Sequence, residues 1–256
     1  MNVSVESPDK GVVVVTMARA EKRNALSLEM MGELTAAFRS AAAQKSTRTF
    51  VLRGEGPAFS AGHDLRELQC ADAAAAREIF DACVELMETI QSIPQPVIAE
   101  VATIATAAGC QLVATCDLAI AAHEATFATP GVSIGLFCTT PMVALTRAIG
   151  RKRAMEMLLT GDPIDAATAA EWGLINRVVP AADLHQAALS LALRIATSAS
   201  TTIERGPSRT SLVTTTSRLT GRQCMKDASS PRASFASDTV QSWCFARSAA
   251  SFSHAP

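Results

Sequence analysis

The chain has 256 residues, 48% of them hydrophobic, a formal net charge of −1 and no tyrosine. That length suits one large domain or two small ones and is enough to bury a substantial core. Near-neutral charge excludes a dedicated nucleic-acid binder, which carries a concentrated basic face. Seven cysteines without a CxxC pair or a Cys/His cluster at zinc spacing exclude a disulfide framework and a zinc module, and imply reduced thiols in a cytoplasmic protein. The opening MNVSVESPDKG has no basic stretch followed by an apolar run, so no secretory signal is expected. The longest apolar stretch, 97–122, is interrupted by Glu100, Gln111 and Asp117, so no membrane span is expected either.

The elements follow in chain order. Residues 3–6 and 12–17 are short β-type runs separated by Ser7-Pro8-Asp9-Lys10-Gly11, a hairpin signal. Ser27 is an N-cap for an amphipathic helix over 28–43, with Met30, Met31, Leu34 and Phe38 at helical spacing. Residues 49–53 read as a strand that closes at Gly54-Glu55-Gly56-Pro57. An alanine-rich helix is expected over 72–91, packing Ile79, Val84, Leu86 and Ile90 into the core. A buried strand at 96–99 runs into the small residues 105–109, followed by a short helix over 110–115 and a strand over 117–121. Helices are expected at 141–159, 165–172 and 181–196, with a strand at 174–179. Strands alternating with helices indicate a layered α/β fold, and no internal repeat with a period of 20–50 residues is visible.

Two turns of small residues have the composition that chemistry needs. The first is Phe59-Ser60-Ala61-Gly62-His63-Asp64-Leu65 and the second Ala107-Ala108-Gly109-Cys110-Gln111, each between a strand and a helix. Free backbone N–H groups at such starts favour negative charge, and small side chains let a ligand approach the main chain. Brought face to face, the two turns would form a two-donor pocket for a carbonyl oxygen that gains charge.

Longer segments carry a resemblance. Residues 20–27 (AEKRNALS), 56–65 (GPAFSAGHDL), 96–99 (PVIA), 108–112 (AGCQL), 116–119 (CDLA), 159–166 (LTGDPIDA) and 171–180 (EWGLINRVVP) occur in the order and approximate spacing of the enoyl-CoA hydratase/isomerase family, the crotonase superfamily. The resemblance spans residues 1–200. It implies an α/β fold built as a spiral of ββα repeats with a C-terminal helical region. It implies a homotrimer or a hexamer made of two trimers, a coenzyme A thioester as ligand and substrate, and no separate cofactor or metal.

Residue by residue, the family's two thioester-oxygen donors fall on the main-chain N–H groups of His63 and Ala108. The His63 imidazole is then expected to line the acyl pocket or turn to solvent rather than to move protons. Lys22, Arg23 and Ala25 in the first loop, and Ala61, Asp64, Leu65 and Arg66 in the first turn, resemble the contacts to the nucleotide and pantetheine. Lys22 and Arg23 would meet phosphates by charge, or else stand solvated. Asp64 suits an N-cap of the helix that begins at Leu65.

The chain departs from a hydratase at the acids. Family hydratases use two glutamates, one three residues after the second donor and one just after the proline that follows the next strand. Those positions hold Gln111 and Gly131. Glutamine orients water but cannot take its proton near pH 7, and glycine does neither, so each loss is expected to remove about 10²–10⁴-fold of rate. Glu67 and Asp72 belong to exposed helix positions. Glu100, in a strand that reads as buried, is expected at a subunit contact or with a raised pKa. Cys138 aligns with a loop along the acyl pocket, where a thiol is a nucleophile or a small packing residue.

Residues 201–256 are expected to form a lid and oligomerisation region of unusual composition. From Arg205 onward the chain carries +5 against −6 before it, and 205–256 include eleven serines and six threonines. That composition suits disorder and reads as a departure from the family's reading frame over 205–250.

Overall fold

The computed structural model describes residues 2–198. The lid and oligomerisation region expected over 201–256, with its composition break at Arg205, lies outside them. In chain order the elements are β1 (Val3–Asp9), β2 (Val12–Met17), α1 (Leu28–Ala42), β3 (Thr49–Gly54), β4 (Ala58–Ser60), α2 (Leu65–Cys70), α3 (Ala73–Ser92), β5 (Val97–Val101), β6 (Ile104–Thr106), α4 (Ala108–Thr115), β7 (Leu118–Ala122), β8 (Thr126–Ala128), α5 (Thr139–Ala148), α6 (Arg151–Thr160), β9 (Ile164–Asp165), α7 (Ala166–Trp172), β10 (Arg177–Val179) and α8 (Leu184–Thr197). No described helix is long and apolar enough to cross a membrane.

The larger sheet has six strands in the order β1-β2-β3-β5-β7-β10, parallel from β2 to β10, with β1 antiparallel at one edge. Successive residues of a strand face opposite sides, so its inner strands are apolar on both. Val13, Val15 and Met17 of β2, Phe50 and Leu52 of β3, and Val97, Ala99 and Val101 of β5 join the main core with α1, α3 and α4. Val12, Val14, Val51 and Ile98, one residue out of phase, pack instead against Ala188 and Ala192 of α8. A sheet covered on both faces reads as continuous apolar runs, which is why VVVVT in β2 shows no alternation.

The helices form for local reasons. The Ser27 side chain accepts the Met30 N–H at the start of α1, and Met30, Met31, Leu34 and Phe38 are fully buried beneath it. Each such side chain contributes about 1.5–3 kcal/mol relative to exposure. Asp72 caps α3 through the Ala75 N–H, and Asp165 caps α7 through Thr168 N–H, a bond that lowers the Asp165 pKa.

Four expectations need correction. On α3, Val84 is 42% exposed, and Cys83 and Met87 supply the buried positions beside Ile79, Leu86 and Ile90. The helix expected over 141–159 is two helices, α5 and α6, because Gly150 takes φ +77°, outside the helical range. The strand expected over 174–179 is only β10, with Leu174 and Ile175 buried in the loop before it. The final helix begins at Leu184, after a 3-10 turn at Ala181–Asp183.

A second sheet, β4-β6-β8-β9, has strands of two or three residues and no sequence signal of its own. The neighbours β4, β6 and β8 are parallel, so they deliver the segments that follow them to one edge.

Candidate active site

Those three segments are 61–64 after β4, 107–111 after β6 and 129–131 after β8. The small sheet thereby gathers His63, Ala108, Gln111 and Gly131, which are far apart in sequence, at adjacent strand ends about 5 Å apart laterally. The two small-residue turns lie against each other. Gly62, at φ +83°, has Thr106 O 2.9 Å and Ala108 N 3.0 Å from where a Cβ would stand. A Cβ on Gly109 would run into the Ser60 carbonyl oxygen. The turns need glycine at these two positions in order to meet.

The first turn is held from the loop at 19–26. Leu26 N–H donates to Gly62 O at 2.7 Å, Ala61 N–H to Arg23 O at 3.0 Å, and Ser60 Oγ to Asn24 O at 2.8 Å. Asn24 is fully buried, and its side chain accepts from Arg19 N–H and donates to Glu55 O and Ala58 O. Arg23 and Asn24 both take left-handed backbone conformations, φ 52° and 50°. Asparagine tolerates that region better than most residues, the one sequence signal that could have singled out Asn24. Ala25 is buried, while Lys22 and Arg23 are exposed and enter no ion pair among the described residues.

In the second turn Ala107 adopts φ 51°, ψ −120°, a conformation costly for a residue with a Cβ. It is fixed by its own N–H, which donates to Ala128 O at 2.9 Å. Alanine 108 opens α4, whose start has no side-chain cap. No acceptor among the described residues meets the main-chain N–H of His63 or of Ala108.

The surrounding side chains differ in their freedom. Asp64 caps α2 by accepting the Arg66 N–H at 3.0 Å, and Leu65 and Arg66 are exposed. Glu67 accepts the Leu28 N–H at 2.9 Å, tying α2 to the start of α1; it is engaged, not a spare base. The His63 ring sits edge-on to Phe80 of α3, centroids 5.3 Å apart at 71°. Burial pushes its pKa down to about 4, so the imidazole is neutral at pH 7. Its Nε2 is covered and has no hydrogen-bond partner among the described residues, and the same holds for Oε1 of Gln111, a residue only 6% exposed.

Gly131 is buried in the 3-10 turn after β8. A Cβ there would stand 2.7 Å from Cys138 Sγ and 2.7 Å from Leu136 O, so the space a longer side chain needs is already filled. Burial raises the Cys138 thiol pKa above its ordinary value, opposed by a hydrogen bond from the Gly131 backbone. The thiol is a packing group here, poorly disposed to ionise. Buried Cys110 on α4 is pushed up to about 12, chiefly by desolvation and further by Cys138.

Glu100 has two partners within the chain. It is 4% exposed, and strand parity puts it on the α8 face with Ile98, not on the face shared with α4. There its carboxylate meets His185 Nδ1 at 2.9 Å and Arg53 Nε at 3.5 Å. It is a paired structural group within the chain. The described cavities also lie elsewhere: one of about 300 Å³ sits at the C-terminal end of α4 between Gln91, Arg147 and Asn176, and one of about 470 Å³ lies between the β1–β2 turn and Gln44 and Thr47.

The comparisons with known proteins agree with this geometry. The family model for enoyl-CoA hydratase/isomerase matches residues 7–243. Enoyl-CoA hydratase domain-containing protein 3, mitochondrial, is 46% identical in Rattus norvegicus over 187 residues, 73% of this chain and 62% of that protein. The Homo sapiens protein of the same name is 47% identical, with 73% and 62% covered. The aligned part thus spans less than two thirds of those relatives. Among solved structures, an enoyl-CoA hydratase of Mycobacterium smegmatis superposes with TM-score 0.79 at 37% identity, covering 94% of this chain and 90% of the other. The human domain-containing protein 3 superposes with TM-score 0.78, also at 37% identity, with 94% and 90% covered. Motif order, the paired turns at the small sheet's edge and these matches together place the chain in the enoyl-CoA hydratase/isomerase family, with the crotonase fold.

Proposed function

We propose that this protein binds coenzyme A thioesters and polarises the thioester carbonyl between the main-chain N–H groups of His63 and Ala108, without carrying out hydration at an ordinary hydratase rate. The observation that carries the reading is the contrast within one strand-end cluster. Two backbone donors without acceptors among the described residues stand on touching turns, while the neighbouring positions where hydratases need acids hold Gln111 and a Gly131 packed against Cys138. Preorganised donors stabilise charge on a thioester oxygen with no reorganisation at the moment it develops. Water activation and proton delivery to the α-carbon need a titratable group within reach, and neither Gln111 nor Gly131 is one.

Exposed Lys22 and Arg23 would hold the phosphates of the nucleotide. Ala25, Ala61, Asp64, Leu65 and Arg66 would line the path of the pantetheine, and Cys138 the acyl end. Assembly as a homotrimer or hexamer belongs to the same proposal. The five described cysteines form no disulfide with one another, which suits a reducing compartment, and the mitochondrial name of the vertebrate relatives makes the matrix as good a fit as the cytoplasm.

A non-catalytic, acyl-CoA-responsive subunit is the second reading, favoured by the filled space at Gly131. Calorimetric titration with butyryl-CoA and with free coenzyme A tests what the two share. Saturable binding of the thioester, several-fold tighter than free coenzyme A, is expected. No binding of either, by a chain that melts cooperatively, would remove the thioester reading.

A further inference from the structure

Among the described residues, three other than glycine have positive φ: Arg23, Asn24 and Ala107. Arg23, at φ 52° and ψ 37°, occupies the left-handed well that L-residues reach. Ala107, at φ 51° and ψ −120°, lies outside that well, in the conformation of the first central residue of a type II′ turn, a place glycine usually fills. A residue with a Cβ is strained there, and such strain persists only where the surroundings over-determine the backbone. Here they do so from three sides. The Ala107 N–H donates to Ala128 O at 2.9 Å, and the Ala107 carbonyl oxygen accepts the Gln111 N–H at 3.1 Å. The methyl lies 2.9 Å from where a Cβ on Gly62 would stand, so it seats against the bare Cα of that glycine. Ala108 N lies 3.0 Å from the same point.

We infer that Ala107 is a positioning residue: its strained, methyl-bearing backbone fixes the peptide that carries the Ala108 N–H, so that the second donor is aimed before a ligand arrives. This rests on the thioester reading above. Rotation about ψ of Ala107 turns the plane of the Ala107–Ala108 peptide, and with it the direction of the Ala108 N–H. Alanine at positive φ has a narrow range of ψ, whereas glycine ranges widely. The methyl also sets how closely the second turn approaches the first at Gly62, and His63, which carries the other donor, is the next residue. The separation of the two N–H groups therefore depends on a single methyl group. Donors held in place in the free protein spare the ligand the cost of ordering them. The same strain weakens the fold, so stability and thioester recognition are set against each other at Ala107.

The test pairs thermal melting of the full chain with calorimetric titration by butyryl-CoA and by free coenzyme A. Ala107→Gly is expected to raise Tm by about 2–4 °C as the strain is released. The preference for butyryl-CoA over free coenzyme A should fall about threefold in the same variant, because the peptide is no longer held. Ala107→Ser keeps a Cβ in place and should retain both the wild-type Tm and the wild-type preference. A purely structural role would move Tm and leave the preference alone. An unchanged or larger preference in Ala107→Gly, a lower Tm, or a serine variant that loses the preference as the glycine variant does, overturns the inference while the thioester reading stands. A wild-type chain that binds butyryl-CoA no more tightly than free coenzyme A overturns both.

Discussion

Two buried polar clusters on opposite faces of the larger sheet are treated in opposite ways. On the α8 face, Glu100 is matched by His185 at 2.9 Å and Arg53 at 3.5 Å. At the edge of the small sheet, His63 Nε2 and Gln111 Oε1 have no partner among the described residues. The Glu100 carboxylate is met from within the chain, although Arg53 Nε reaches it only as an ion pair, whereas the two atoms of the second cluster meet nothing among the described residues. Unpartnered buried oxygens also occur among the described residues at Thr47, Thr89 and Thr103, so the contrast belongs to these two clusters and not to every polar group of the fold.

The contrast predicts how substitutions divide. The largest effect is expected on the satisfied side of the site. Asn24→Ala removes three side-chain hydrogen bonds and places alanine at φ 50°, and should cost about 4 kcal/mol in chemical denaturation. A loss below about 1 kcal/mol would mean that Asn24 does not hold the first turn.

Next comes the response to acid. The folded pKa of His63, lowered by burial to about 4, lies below the ordinary 6.5, so between those values the unfolded chain binds a proton that the folded chain does not. Its contribution is complete above pH 6.5 and is lost as pH falls toward 4, by up to about 3 kcal/mol at 1.4 kcal/mol per pH unit. The difference between wild type and His63→Phe across that window isolates this residue from His123 and His185. Parallel stability curves for the two proteins would show that the ring reaches water.

Glu100→Gln should cost about 2 kcal/mol, less than breaking a fully buried pair, because Arg53 and His185 are 34% and 46% exposed and reach solvent. The smallest effect has the opposite sign. Gln111→Leu removes an unsatisfied atom and should leave stability unchanged or raise it by up to about 1 kcal/mol. Destabilisation of Gln111→Leu comparable to that of Asn24→Ala would erase the distinction between the two kinds of polar group.

Most of the frame was legible in the sequence, and what was hidden has definable causes. The helix of Ser27 and Met30 to Phe38, the buried strands at Val12 and Val97 and the Asp64 cap follow from patterns within a few residues. The small sheet does not: Ala58-Phe59-Ser60, Ile104-Ala105-Thr106 and Thr126-Phe127-Ala128 are too short to show a period, and only their mutual pairing makes them strands. That pairing is what gathers His63, Ala108, Gln111 and Gly131, so resemblance identified the residues and topology explains their company. The partners of Glu100 were hidden for a related reason. Strand parity assigns its face only once Ile98 is seen against α8, and His185 lies 85 residues away. The occupation of the Gly131 space by Cys138 is likewise a matter of tertiary packing that no local pattern records.

The central claim is that the two turns proposed to polarise a thioester carbonyl stand beside positions without the acids of hydration, and the rate of crotonyl-CoA hydration measures it directly. Followed by loss of the enoyl thioester absorbance at high protein concentration, beside an ordinary family hydratase, the turnover should be at least about 100-fold lower, the contribution of a single positioned acid or base. Turnover within about tenfold of that hydratase would contradict the account, since Gln111 and Gly131 would then not limit the chemistry.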